Sequence, residues 1–104
     1  MVLVMTEAKV PEQQWDALTR TYDQVMEDCP DAIVESILTQ EKRNPTLWRI
    51  LTIWESQAAL DAYSASHERL PGALVFHLVG VTPVTMVSEV MGYFQGENAG
   101  PFAL

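Results

Sequence analysis

The stretch Thr46–Tyr63, TLWRILTIWESQAALDAY, predicts a strand that runs directly into a helix. Two sets of mostly large, apolar side chains alternate along its first half and therefore point to opposite faces of the strand. One face carries Trp48, Ile50, Thr52 and Trp54, and the other carries Leu47, Arg49, Leu51 and Ile53. Ser56 is suited to cap the helix that follows. Because both faces are largely apolar, this strand belongs inside a sheet that is covered on both sides.

The composition predicts one globular domain with an acidic surface. Hydrophobic residues make up 48% of the 104 residues and charged residues 19%, which is typical of a folded domain. The formal net charge is -8, with 6 Lys and Arg against 14 Asp and Glu. Nucleic acids and anionic membranes both require a basic surface, so we expect neither as a partner.

Cysteine and leader signals favour a reducing, cytoplasmic setting. The single cysteine, Cys29, excludes a disulfide within the chain, and no Cys/His spacing is typical of a metal site. The apolar start, Met1–Met5, lacks the basic residues and cleavage site of a signal peptide. The most apolar run, Gly72–Val81, is about half as long as a membrane span. We expect a domain over residues 1–94 and a tail over residues 95–104, which contains Gly and Pro.

Periodicity along the rest of the chain predicts an α+β fold. Three more strands are expected, over Val2–Val10, Ala32–Thr39 and Val84–Tyr93. A helical stripe follows Pro11 and ends near Cys29, and the second helix ends near His67. The resulting order is β-α-β-β-α-β, which is the ferredoxin-like arrangement with a four-stranded antiparallel sheet.

The run Ala73–Val79 is apolar on all sides except at His77. We expect a short buried helix there, although such a run is also compatible with a strand. The only ionisable side chain in this run, His77, would be buried, and a buried imidazole can act as a base near neutral pH. A core histidine that is satisfied by a backbone carbonyl is the alternative interpretation.

Two main helices can cover only one face of a four-stranded sheet. Each predicted strand nevertheless has apolar residues on both sides, which would leave a wide apolar surface in water. A second copy that packs sheet to sheet is the simplest cover. The sequence therefore predicts a homodimer.

The segments VLVMTEAKV, CPDAIVES and ILTIWESQAALDAY resemble the antibiotic biosynthesis monooxygenase family of small dimeric α/β-barrel proteins. The resemblance extends over about Val2–Tyr93, and its most specific element is the Trp-Glu-Ser that precedes an alanine-rich helix. It implies oxidation of a small phenolic, quinol-type or other aromatic molecule by molecular oxygen, without a cofactor. Such a reaction needs a dry pocket, a group that takes a proton and a donor to the developing oxyanion.

Two branches of this family are not matched in full. The haem-degrading branch relies on an Asn, a Trp and a His, and the corresponding positions here carry Glu7-Ala8, Tyr63 and Ala73. The anthrone-oxygenase branch uses an Asn where this chain has Ile50. Haem breakdown is therefore not expected, and the anthrone mechanism is not carried over intact.

Six residues are candidates for the site. We predict His77 and Tyr63 as catalytic, and the predicted substrate-binding residues are Trp54, Phe76, Arg49 and His67. Three of them also have an ordinary structural alternative: Trp54 and Tyr63 as packing residues, and His67 as a solvated cap at a helix C-terminus. Cys29 has no basic neighbour in the sequence, so it is not predicted to be a reactive thiol.

Arg49 is unusual inside an apolar strand. If Glu7, Arg49 and Glu89 lie on one face, they would form a charged cluster in or beside the dimer interface. The alternative is an Arg49 that extends to water at the edge of the sheet.

The sequence is compatible with two classes of function. One is a cofactor-independent monooxygenase, and the other is a non-catalytic ligand-binding or assembly domain of the same fold. The incomplete family motifs favour the second, whereas the isolated His77 favours the first.

Overall fold

The computed structural model describes residues 1–96. Within these residues, four strands and three α-helices follow one another, with a short 3-10 turn, Glu12–Gln14, before the first helix. They are β1 (Val2–Lys9), α1 (Trp15–Glu27), β2 (Ile33–Gln40), β3 (Leu47–Trp54), α2 (Gln57–Ser66), α3 (Pro71–Leu78) and β4 (Val84–Glu89). The sheet is antiparallel throughout, in the order β2-β3-β1-β4. The predicted α+β, ferredoxin-like fold is therefore confirmed.

The two central strands, β1 and β3, bury every second side chain on the face that carries the helices. Within the described residues, the core forms two clusters on that face. The larger includes Leu18 of α1 and Phe76 of α3, and the smaller is built around Trp54 and Leu60 of α2. The predicted alternation of Thr46–Tyr63 is thus confirmed, and Ser56 caps α2 by accepting a hydrogen bond from the backbone N–H of Ala59 at 3.0 Å.

A bulge in β2 alters one predicted face. Ile33 is paired with Trp54, whereas the next pair joins Glu35 to Ile53, so Val34 is left as an extra residue. Ile33 therefore packs in the cluster around Trp54, on the face opposite to Glu35. A uniform period of two along β2 would place Ile33 and Glu35 on one face, and the bulge separates them.

The third helix confirms the predicted helical run and corrects the predicted burial of His77. Pro71 occupies the first turn, where its missing N–H leaves no bond unmade. Val75 and Phe76 take the inward positions and are fully buried. His77, one residue further around the helix, is exposed. The prediction of a buried imidazole is therefore wrong for the single chain.

Within residues 1–96, the helices cover one face of the sheet and leave the other without helical cover. Residues of this open face are apolar and half-buried in the two central strands, namely Leu3, Met5, Leu51 and Ile53. β4 ends at Glu89, which is earlier than predicted, and its side chains are exposed throughout. No helix within residues 1–96 is long and apolar enough to cross a membrane. Most of the predicted tail, residues 97–104, lies outside the described residues.

Candidate functional site

A cleft of about 280 Å³ opens where α1, α2 and α3 meet, on the helical side of the sheet. Its apolar wall is formed by Val25, Pro71, Leu74 and Leu78. Its polar groups are Gln24, Asp28, Cys29 and Tyr63. A small planar molecule could contact the apolar wall while its polar groups meet a carboxylate, a thiol and a phenol.

The phenol of Tyr63 is the predicted site residue that lines this cleft. Its ring meets the indole of Trp54 edge-on, with centroids 5.3 Å apart, and stacks on the imidazole of His67, with centroids 3.8 Å apart. Burial raises the pKa of the Tyr63 hydroxyl above its ordinary value, and the nearby Cys29 adds to the rise. Like an ordinary tyrosine, Tyr63 keeps its proton at neutral pH, and it can donate a hydrogen bond into the cleft.

His67 holds the other side of the Tyr63 ring at the end of α2. Its Nδ1 lies 3.0 Å from the backbone carbonyl oxygen of Tyr63 and 3.0 Å from the hydroxyl of Ser66. The imidazole is exposed, and it does not line the cleft. The geometry is that of a helix-terminal residue that orients Tyr63.

Trp54 lies behind Tyr63, away from the cleft. Its side chain is fully buried, and its indole N–H donates to the hydroxyl of Thr52 at 3.0 Å. The sequence brings Trp54, Tyr63 and His67 into one aromatic row, but only Tyr63 reaches the cleft. In the single chain, Trp54 is a packing residue that supports the Tyr63 ring.

The other three predicted site residues lie elsewhere. Phe76 is fully buried in the larger core cluster, and His77 is exposed and lines no cleft described for residues 1–96. Arg49 belongs to the open face of the sheet. The sequence could not show which of Phe76 and His77 points inward, because α3 is apolar on nearly every side and its pattern does not indicate how the helix is rotated.

The predicted charged cluster around Arg49 exists with a different third member. The guanidinium of Arg49 donates from Nε to Glu7 and from Nη1 to Glu41, each at 2.8 Å. These two bonds raise the pKa of Arg49. Glu89 is paired with Val2 and therefore lies on the opposite face of the sheet. The predicted membership of Glu89 is wrong, because the register of β4 separates it from Glu7.

Three polar residues of the cleft, Gln24, Asp28 and Cys29, were not predicted as site residues. Asp28 and Cys29 end α1, and the structure brings them next to Tyr63 and to the apolar residues of α3. The only sequence signal was their position after the apolar stripe of α1. Which helix end meets which neighbour depends on packing that the stripe does not specify.

Sequence comparison assigns the family. A sequence model of the antibiotic biosynthesis monooxygenase family matches residues 1–77, which is well over half of the 104 residues. The chain belongs to the antibiotic biosynthesis monooxygenase family. Proteins of this family are typically dimeric. No functionally curated protein matches the chain significantly by sequence.

Solved structures support the fold of this antibiotic biosynthesis monooxygenase family member. SnoaB, a cofactor-independent oxygenase from Streptomyces nogalater, is similar at a TM-score of 0.65 and 13% identity, with 91% of this chain and 97% of that chain covered. A conserved protein from Methanosarcina mazei matches at a TM-score of 0.66 and 15% identity, over 84% of this chain and 89% of that one. At such low identity these similarities establish the fold alone.

Proposed function

We propose that this protein is a cofactor-independent monooxygenase that oxidises a small phenolic, quinol-type or other aromatic substrate with molecular oxygen. The observation that carries the proposal is the cleft of about 280 Å³, which combines an apolar wall with the protonated phenol of Tyr63 and the carboxylate of Asp28. The family and the fold shared with SnoaB, a cofactor-independent oxygenase, support the same reaction class.

The chemistry needs an electron-rich substrate that supplies its own reducing electrons. For an activated ring CH₂ group, a base removes a proton, and the resulting anion transfers electrons to oxygen and forms a C–O bond. Cleavage of the peroxide O–O bond then gives a ring carbonyl and water, so that CH₂ and O₂ become C=O and H₂O. The negative charge that develops on the substrate oxygen has to be stabilised by a hydrogen-bond donor.

Two groups of the cleft suit these tasks. Tyr63 donates its O–H to the substrate oxyanion, because it is the phenol that lines the cleft. Asp28 accepts the proton, since it is the carboxylate that lines the cleft. His77 stays a predicted base from the sequence, but its exposed position in the single chain gives it no contact with this cleft.

Oxygen uptake with a panel of hydroquinones and anthrones tests the proposal. We expect Tyr63→Phe to lower kcat by roughly 100-fold, which is the usual effect of losing one oxyanion donor. Asp28→Asn should lower kcat by about 100-fold or more, which is typical of losing a general base. His77→Ala is the comparison: the roles proposed for Tyr63 and Asp28 predict the parent rate, whereas a large loss would favour the base predicted from the sequence. No uptake by the parent over the whole panel would contradict the monooxygenase proposal.

A non-catalytic ligand-binding or assembly domain is the second candidate. The observation that favours it is the dispersal of the predicted site residues, of which only Tyr63 lines the cleft. In that case the same aromatic panel should quench tryptophan fluorescence on binding, with Tyr63→Phe binding more weakly, while no oxygen is consumed.

We also propose that the open face of the sheet packs against a second copy of the chain. Apolar side chains of β1 and β3 lie on that face, and helices cover only the opposite one. A stable interface buries about 1,200–2,000 Å² in total. Sedimentation of the full chain tests the homodimer. A cytoplasmic location is likewise a proposal, which cell fractionation tests.

A further inference from the structure

The cleft between the three helices carries charge of one sign. Asp28, which ends α1, is the charged residue that lines it. Within residues 1–96, no Lys, Arg or His side chain lines this cleft. A second cavity, of about 320 Å³, lies where β1 ends and β4 begins, and it does contain a cation, Lys9. The two cavities therefore offer opposite environments to a charged ligand.

The end of α1 makes the same wall more negative. The last carbonyl groups of a helix carry a partial negative charge, which a basic residue in the last turn would offset. The last turn of α1 has no basic residue, and Asp28 follows it directly. The net charge of -8 also lowers the concentration of anions around the whole chain. An acidic ligand is thus repelled by the wall and by the protein as a whole.

The polar groups of the cleft accept more hydrogen bonds than they donate. The carboxylate of Asp28 only accepts, whereas the amide of Gln24 and the hydroxyl of Tyr63 each donate and accept. Gln24 and Asp28 are four residues apart on α1, so they are neighbours on one side of that helix. A hydroxyl or ammonium group on the ligand can donate to them. A carboxylate on the ligand, which only accepts, would meet a second carboxylate.

The wall from α3 directs the polar edge of a ligand towards α1 and α2. α3 contributes only apolar residues to the cleft, namely Pro71, Leu74 and Leu78. A ring that packs against them has to place its polar substituents on the other side, where Asp28 lies. Asp28 is exposed to solvent, so its repulsion of an anion is of the weaker kind found near water.

We propose that the cleft admits aromatic molecules that are neutral or positively charged and carry hydrogen-bond donors, and that Asp28 is the residue that rejects acidic ones. The inference rests on the proposed function, because it concerns which substrates the same cleft takes. It adds a specificity role for Asp28 that does not depend on proton transfer, since it acts on binding.

Calorimetric titration under nitrogen measures binding without any oxidation. Three catechols of similar size differ in the charge of one substituent: dopamine, 3,4-dihydroxyphenylethanol and 3,4-dihydroxyphenylacetate. We expect the acid to bind the parent at least about fivefold more weakly than the alcohol, which is the effect of two like charges about 4 Å apart in water. Dopamine should bind at least as tightly as the alcohol. At 1 M NaCl the three Kd values should approach one another.

Two variants separate Asp28 from the charge of the whole chain. Asp28→Asn should bring the acid to within about twofold of the alcohol. Glu27→Gln is the matched control, because it removes the same charge from the adjacent residue, which does not line the cleft. It should leave the ratio of the two Kd values at the parent value. Circular dichroism shows whether each variant keeps its fold.

The outcomes separate this inference from the proposed function. Equal Kd values for the acid and the alcohol in the parent would overturn the inference, and so would an equal effect of Asp28→Asn and Glu27→Gln. Tight binding of the acid that Lys9→Met abolishes would also overturn it, because the ligand would then occupy the second cavity. The expected order of binding without oxygen uptake in air would keep the inference and contradict the monooxygenase. No binding of any of the three catechols would overturn both.

Discussion

The ring of Tyr63 stacks on the imidazole of His67 with centroids 3.8 Å apart and planes 4° apart. The stack joins the last turn of α2 to the residue that ends it, and the Nδ1 contact with the Tyr63 carbonyl holds the same geometry from the backbone side. Trp54 meets the same ring edge-on from inside the core. The orientation of the phenol in the cleft therefore depends on a residue that does not line the cleft.

Removal of the stack should loosen Tyr63 without unfolding the domain. We expect His67→Ala to lower the free energy of unfolding by about 0.5–1 kcal/mol, in the range of aromatic pair energies. His67→Phe keeps a ring against Tyr63 and should lose less. Urea denaturation of both variants beside the parent measures the difference. Equal losses in the two variants would show that the stack itself contributes nothing.

The three tyrosines predict how stability changes at alkaline pH. The pKa values of Tyr22, Tyr63 and Tyr93 are all raised above 10.0, the first two mainly by burial and the third mainly by its hydrogen bond to Glu35. The unfolded chain therefore loses these protons at a lower pH than the folded chain does. Stability should be constant with respect to these groups below pH 10 and fall as the pH rises from 10 through the folded pKa values.

Urea denaturation between pH 8 and pH 11 measures this fall, and Tyr22→Phe gives the control. Its hydroxyl lies 2.7 Å from that of Ser36, so the variant loses some stability at every pH. Its decline above pH 10 should nevertheless be shallower than that of the parent, because one titrating group is gone. An identical decline would mean that Tyr22 does not titrate differently in the folded and unfolded chains.

The strand and helix of Thr46–Tyr63 were predictable because the two-residue alternation of a strand ends just before Ser56, where helix-forming residues begin. Alternation specifies which side chains of β3 share a face, and the N-cap specifies where α2 begins. The bulge at Val34 was not predictable in this way. β2 carries polar and apolar residues on both faces, so a shift by one residue leaves its pattern almost unchanged.

The positions of candidate site residues were predictable only in the strand–helix unit whose sequence pattern is clear. Trp54 and Tyr63 come from the same strand–helix unit, and their contact follows from it. Asp28 and His77 depend on how α1 and α3 meet and on how α3 is rotated. α3 is apolar nearly all round, so the helix has no polar face from which its rotation could be deduced.

The Arg49 cluster predicts an effect of salt on stability. Arg49→Met would remove two 2.8 Å ion pairs and leave Glu7 and Glu41 without their shared cation. All three side chains are partly exposed, so salt screens their interactions. The variant should be less stable than the parent at low salt, and the difference should shrink at 1 M NaCl. Arg69→Met is the control, because its single 3.3 Å pair with Glu68 is more exposed. A difference that does not depend on salt would contradict this account.

Two buried tryptophans of β3 should respond differently to the same substitution. The indole N–H of Trp54 donates to Thr52, whereas the indole N–H of Trp48 is buried without a hydrogen-bond partner among residues 1–96. Trp54→Phe removes a hydrogen bond and leaves the buried Thr52 hydroxyl unpaired. It also reduces the contact area with the ring of Tyr63. We expect it to cost about 2–3 kcal/mol, which combines lost apolar burial with an unsatisfied polar group.

Trp48→Phe, by contrast, removes a donor whose burial is already unfavourable. It loses some apolar contact with Trp15, whose ring centroid is 6.0 Å away. Deleting the unpaired N–H offsets part of that loss, so the net cost should be about 1 kcal/mol or less. Guanidinium denaturation of the two variants measures the comparison on one strand and one face of the sheet. Equal destabilisation by Trp48→Phe and Trp54→Phe would contradict this prediction. It would mean that the difference in hydrogen bonding between the two indole N–H groups does not affect the free energy of unfolding.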